Sequence, residues 1–149
     1  MTPGAPLLPR PVLLVEDDPD DAELTFRALK KARVANPVDH VQDGEAALDY
    51  LDVRRTRPGR TDFPVLILLD LKLPKLSGYE VLNRLDGEGV LKDLPVIVVT
   101  SSKRQEDVLE GYSLGIRSFV RKPVDFRKLG DAAAKLGIGW MLVEKPSTS

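Results

Sequence analysis

The sequence predicts an α/β fold: a doubly wound parallel sheet of five strands with helices on both faces. Three observations predict it. Short strand-like stretches, most of them apolar without polar alternation, recur along the chain, and each is followed by a helix-like segment, five times over. Such stretches suit strands buried on both faces. The connections between them are short, and successive parallel strands need a crossover helix.

Each element has its own signals. Pro11 to Val15 is an apolar run that stops at Glu16, Asp17 and Asp18. Asp18 then serves as N-cap and Pro19 opens a helix with a stripe at Leu24, Ala28, Leu29 and Ala32. A short strand at Val38 to Val41 leads through an Asp43-Gly44 turn to a helix carrying Ala46, Ala47, Tyr50 and Leu51. Arg54 to Asp62 reads as a polar loop around Pro58-Gly59. Pro64 to Leu69 is the strongest strand and stops at Asp70. After Leu73-Pro74, Ser77 caps a helix with Val81, Leu82 and Leu85, which frays at Gly87 and Gly89. Pro95 to Val99 is the fourth strand, ending at Thr100. Gln105 to Leu114 reads as helix with Gly115 as its C-cap. Ser118 to Val120 is the last strand, ending at Lys122-Pro123. A helix from Asp125 carries Leu129, Ala132, Ala133 and Leu136. Right-handed crossovers leave few topologies, and a flavodoxin-like order of 2-1-3-4-5 fits.

Composition narrows the function classes. At 149 residues, with 42% hydrophobic and 30% charged residues, the chain has the make-up of one soluble domain. We expect a loose arm at residues 1–9, a domain over 10–143 that includes a C-terminal helix, and a frayed tail at 144–149, with no output domain. The net charge of −1 argues against nucleic acid as partner. Without Cys, thiolate metal sites and cysteine nucleophiles are excluded, and the single His40 excludes a multi-histidine site. Apolar runs fall far short of the roughly 20 residues that span a membrane, and no signal peptide is apparent, so a cytoplasmic location is expected.

Chemistry collects at the strand ends. In open parallel sheets, ligands bind outside the carboxyl ends of the strands, where the strand order reverses. Strand one delivers Glu16 and Asp17 there, strand three Asp70, strand four Thr100 and strand five Lys122. Singly, each has a plainer reading as turn, cap, strand or surface residue. Together they place three carboxylates in one small space. Such groups repel unless cations intervene. Lys122 supplies one charge, and a hard, oxygen-liganded dication such as Mg²⁺ suits the remainder. Thr100 and Lys122 suit phosphoryl oxygens. Asp70, facing the cleft, is the natural carboxylate nucleophile for an aspartyl phosphate. No Gly-rich nucleotide cradle occurs.

On these residues the sequence resembles the receiver domains of two-component response regulators. The carriers are Leu13-Leu14-Val15-Glu16-Asp17-Asp18-Pro19, Leu68-Leu69-Asp70-Leu71-Lys72-Leu73-Pro74 with Ser77-Gly78-Tyr79-Glu80-Val81-Leu82, Leu94 through Ser102, and Phe119-Val120-Arg121-Lys122-Pro123. The resemblance spans about residues 10 to 136. It implies that Asp70 accepts a phosphoryl group from a histidine kinase. Glu16, Asp17, Asp70 and the Lys72 backbone carbonyl would hold Mg²⁺, with Mn²⁺ as an alternative. Thr100 and Phe119 would be the switch residues, Lys122 would pair with the phosphoryl group, and the Lys122-Pro123 bond would be cis. Phe119 stands where the family often has tyrosine. Lys72 and Ser102 occupy positions that influence dephosphorylation in the family. Asp49-Tyr50-Leu51, Lys122-Pro123-Val124-Asp125 and a tail with Trp140 and Pro146 resemble the single-domain regulators paired with bacterial phytochrome kinases.

The functional expectation is a non-enzymatic signalling switch. A phosphohydrolase of haloacid-dehalogenase type is the alternative, but it needs a general acid two places after the nucleophile, where Lys72 stands. A flavin module is disfavoured because three carboxylates would repel its phosphate. Leu129, Ala132, Ala133, Leu136, Trp140 and Val143 fall on one helical stripe. Trp140, Met141, Leu142 and Val143 are therefore the expected interface of a homodimer.

Overall fold

The structure, a computed structural model, describes residues 10–56, 62–116 and 118–136. Five strands and five helices alternate: β1 (Val12–Val15), α1 (Pro19–Lys31), β2 (Val38–Val41), α2 (Gly44–Arg55), β3 (Leu66–Asp70), α3 (Gly78–Gly87), β4 (Val96–Thr100), α4 (Lys103–Glu110), β5 (Phe119–Arg121) and α5 (Phe126–Leu136). The strands form one parallel sheet in the order β2-β1-β3-β4-β5, as expected.

The unalternating strands are explained by two cores. Successive side chains point to opposite faces of a sheet. Leu13, Val15, Ile67, Leu69 and Val98 pack with α2, α3 and Leu109 of α4 on one face. Val12, Leu14, Leu66, Leu68, Ile97 and Val99 pack with Ala28 and Leu29 of α1 and with Leu129 and Ala132 of α5 on the other. Every residue of β1, β3 and β4 is buried, whereas β2 at the edge is half-buried throughout.

Several boundaries differ from expectation. Leu24 is 38% exposed, and the buried stripe of α1 is Ala22, Thr25, Ala28 and Leu29. Thr25 tolerates burial because its hydroxyl donates to the Asp21 carbonyl at 3.1 Å. Arg54 and Arg55 belong to α2 instead of a loop. Arg54 stacks 3.6 Å over the Tyr50 ring, and Arg55 pairs with Asp52 and Glu88. Helix α4 ends at Glu110, capped by Gly111, and does not reach Leu114. Tyr112 and Ser113 close the turn with three-residue bonds to Leu109 and Glu110, and Ser113 takes φ 54°. Gly115 does adopt a left-handed φ of 74°, but in the loop before β5. The arm at 1–9, the tip of the loop at 57–61 and the stripe at Trp140 to Val143 lie outside the described residues. Among the described residues, no helix is long and apolar enough to cross a membrane.

Candidate functional site

The carboxyl ends of β1, β3 and β5 converge on one cleft of about 340 Å³. Its lining includes Glu16, Asp17, Asp21, Asp70, Lys72, Ser101 and Lys122. Local sequence sets each position. Strand β1 ends at Val15, and the Glu16 amide still donates to Val41, so the Glu16 backbone is held in the sheet. His40 Nε2 donates to the Glu16 carbonyl at 2.8 Å, which secures it from β2. Asp18 caps α1 by accepting from the amides of Asp20 and Asp21 at 2.8 and 3.1 Å. The acidic triplet thus divides its work: Asp18 is the cap, Glu16 is buried, and Asp17 stays exposed.

Asp70 closes β3 and is buried. Its Oδ1 accepts from the Lys72 amide at 2.9 Å. Gly78, at the start of α3, lies so close to the Asp70 carbonyl and Leu71 that a Cβ there would overlap them. Only glycine lets the helix begin against the end of β3.

Lys122 reaches across from β5 into this cluster. Its Nζ lies 2.8 Å from Asp70 Oδ2, 2.9 Å from Asp21 Oδ2 and 3.1 Å from Glu16 Oε1. The Lys122 amide donates to the Thr100 carbonyl at 2.8 Å, and the Lys122-Pro123 bond is cis. Lys128 pins the same loop, donating to the carbonyls of Pro123 and Arg121 at 2.9 and 3.2 Å. Burial draws the Lys122 ammonium down, but the hydrogen bonds to Asp70 and Asp21 and the charges of Asp70 and Glu16 outweigh it, so its net shift is upward. Burial, reinforced by the charge of Asp70, pushes Glu16 up to about 7, against the Asp18 amide and Lys122.

The cluster carries more negative charge than Lys122 neutralises. Glu16, Asp17 and Asp70 each offer a ligand oxygen, and these oxygens lie within 4.8 Å of one another. An all-oxygen carboxylate set suits a hard dication.

Two of the residues singled out in the sequence sit elsewhere. Thr100 is fully buried, and its hydroxyl donates to Glu106 Oε2 at 3.3 Å; it is not among the side chains lining the cleft. Phe119 is half-buried against the α2–α4 core. Asp21, Glu106, His40 and Lys128 were missed. Asp21 had a readable signal, since it lies in the acidic first turn of the helix that Asp18 caps, directly after the acidic strand end. His40 meets Glu16 from 24 residues away, whereas Glu106 stands six residues after Thr100 and Lys128 five after Pro123, across turns whose geometry the linear pattern does not reveal.

The comparisons with known proteins agree with this geometry. The response regulator receiver domain profile matches residues 12–134. The solved bacteriophytochrome response regulator AtBRR is 46% identical, covers 94% of this chain and 100% of its own, and superposes with a TM-score of 0.82. A second, RtBRR, is 44% identical, with 92% and 83% covered and a TM-score of 0.81. Response regulator Rcp1 of Synechocystis sp. is 35% identical over 121 residues, 81% of this chain and 82% of that protein. A Mn²⁺-bound form of Rcp1 has been solved, with a TM-score of 0.66 at 32% identity, covering 89% of this chain and 95% of that one. The matched profile spans the whole sheet and its five strand ends, so this chain belongs to the response regulator receiver domain family, close to the bacteriophytochrome response regulators.

Proposed function

We propose that the chain is a cytoplasmic phosphorylation switch served by a sensor histidine kinase of phytochrome type, with Asp70 as phosphoacceptor. The observation that carries this reading is a buried carboxylate at the end of β3, 2.8 Å from an ammonium and clustered with two further carboxylates in an open cleft. An Asp70 oxygen attacks the phosphorus of a kinase phosphohistidine. The P–O bond forms as the P–N bond breaks, the electron pair leaves on the imidazole nitrogen, and that nitrogen takes up a proton. Lys122 pairs with the phosphoryl oxygens. Thr100 turns its hydroxyl toward them, and Phe119 rotates inward behind it.

Glu16, Asp17, Asp70 and the Lys72 carbonyl are the groups that would hold Mg²⁺ or Mn²⁺. A bound dication supplies charge neutralisation between the acceptor carboxylate and the incoming phosphoryl oxygens. The donor set, three carboxylates against one ammonium, supports this assignment. The Mn²⁺-bound Rcp1 supports the same class of ion. The bacteriophytochrome response regulators among the similar structures support the kinase class. Lys72, standing where a phosphohydrolase needs its general acid, supports a switch over an enzyme.

Phosphotransfer from a histidine kinase tests the acceptor. Asp70→Asn keeps size and shape and should lose the acid-labile, hydroxylamine-sensitive label while retaining its circular dichroism. Undiminished label on that variant overturns the assignment. We further propose that the switch speaks to protein partners from a domain over residues 10–143, as a homodimer joined through Trp140, Met141, Leu142 and Val143. Sedimentation should show a dimer that Trp140→Ala weakens. A wild type that stays monomeric at high micromolar concentration, phosphorylated or not, overturns the dimer.

A further inference from the structure

Thr100 has a single O–H to donate, and it is donated away from the cleft. Its acceptor is Glu106 Oε2 at 3.3 Å, in the first half of α4. Arg121, the last residue of β5, donates Nη2 to the same oxygen at 3.1 Å. One carboxylate oxygen therefore ties together the end of β4, the start of α4 and the end of β5. The Glu106 side chain is 20% exposed, so the contact is sheltered on most sides. One further bond reaches this end of α4, from the Tyr79 hydroxyl of α3 to the Gln105 carbonyl at 3.4 Å. Leu109 is the buried side chain of the helix, and the N-cap Ser102 makes no side-chain bond. Gln105 instead accepts from the Ser101 amide at 2.7 Å. Polar side chains, more than apolar burial, hold the first turn of α4 against the sheet.

We propose that Glu106 is a positioning residue that latches the Thr100 hydroxyl out of the cleft in the unphosphorylated state. The proposal rests on the reading of Thr100 as the hydroxyl that joins a phosphoryl group on Asp70. The hydroxyl proton cannot serve Glu106 and a phosphoryl oxygen at once, so the two acceptors compete for it. An anion on Asp70 that wins the hydroxyl releases Glu106 from β4, leaving Arg121 as its partner. Occupancy of the cleft thereby reaches α4 and β5 through one hydrogen bond. Linkage makes the coupling reciprocal: loss of the latch must favour the anion-bound state by as much as the anion disfavours the latch.

The test is calorimetric titration of the full chain with beryllofluoride and Mg²⁺, a phosphoryl mimic that does not hydrolyse. Glu106→Ala should tighten binding about tenfold, the worth of a charge-assisted hydrogen bond removed from the competing state. In a Thr100→Val background the same substitution should change nothing, because no hydroxyl remains to be latched. A purely structural role for Glu106 would move both backgrounds alike. Glu106→Gln keeps an acceptor oxygen without the charge and should fall between wild type and Ala; it carries the comparison if the Ala variant does not fold. Unchanged affinity in a folded Glu106 variant, or equal tightening with and without Thr100, overturns the latch. Beryllofluoride binding that Asp70→Asn leaves intact would overturn the reading of Asp70 itself, and the latch with it.

Discussion

The β1–β3 side of the cleft and the β4–α4 side are held in different ways. On the first side, α1 buries Ala22, Thr25, Ala28 and Leu29, and α3 buries Gly78, Val81, Leu82 and Leu85. Glu16 and Asp70 are each 2% exposed and fixed by backbone donors and Lys122. On the second side, α4 buries Leu109, while Val108 and Tyr112 are 45% and 42% exposed. Its ties to the sheet run through Thr100, Gln105, Glu106 and Arg121. The comparison teaches that the charged half of the site is assembled in advance by apolar packing. The half that would answer to its occupant is held by a few polar side-chain bonds with little apolar burial behind them, so its local opening costs less.

The sharpest way to break this comparison is to remove the ion. If the preassembled half needs a dication to accept a phosphoryl group, excess chelator should lower the phosphotransfer rate at least 100-fold. Asp17→Ala should weaken metal binding and phosphorylation together. A rate indifferent to chelator would show that the carboxylates work without an ion.

Stability should divide along the same line. Leu85→Ala on α3 removes a fully packed side chain and should cost about 2–5 kcal/mol in urea unfolding. Val108→Ala on α4 should stay within about 0.5 kcal/mol. Equal losses would mean that α4 is as firmly seated as α3.

A smaller effect comes from Glu16, whose carboxyl is raised to about 7 by burial and by Asp70. The folded state then holds that proton more tightly than the unfolded chain does. Stability of the metal-free protein should therefore fall as pH rises from the ordinary value of 4.5 through about 7. A divalent ion must displace the same proton. Its affinity should climb with pH, up to about tenfold per unit below 7, and level off above. A flat Mg²⁺ affinity between pH 5.5 and 7.5 would exclude Glu16 as the titrating group.

The smallest expected effect is in hydrogen exchange. The amides of α4 should exchange before those of α1 and α3, and Glu106→Ala should widen that gap without altering α1.

Much of this was legible in the sequence. Three strands and the residues that close them follow from apolar runs of five or six residues stopping at Glu16, Asp70 and Thr100, while the short last strand is marked by Phe119-Val120 before Arg121 and Lys122. A strand buried on both faces tolerates no charge before its end, so the first charged or polar residue marks where the cleft begins. Asp18, Pro19 and Ser77 mark helix starts because capping is local chemistry, complete within three or four residues. Other features depended on contacts the linear chain does not show. The phase of α1, which exposes Leu24 and buries Thr25, is set by the sheet beneath it. Helix α4 stops at Gly111, with Leu109 as its buried side chain, although the apolar pattern runs on to Leu114. Asp21 joins Lys122 from 101 residues away, and Arg121 meets Glu106 from 15. Local sequence determines which residues arrive at the end of each strand, because backbone alternation and capping act over a few residues. Only the tertiary structure decides which way a hydroxyl such as that of Thr100 turns, because competing acceptors are brought to it by separate elements and a side-chain rotamer follows the nearest satisfied bond.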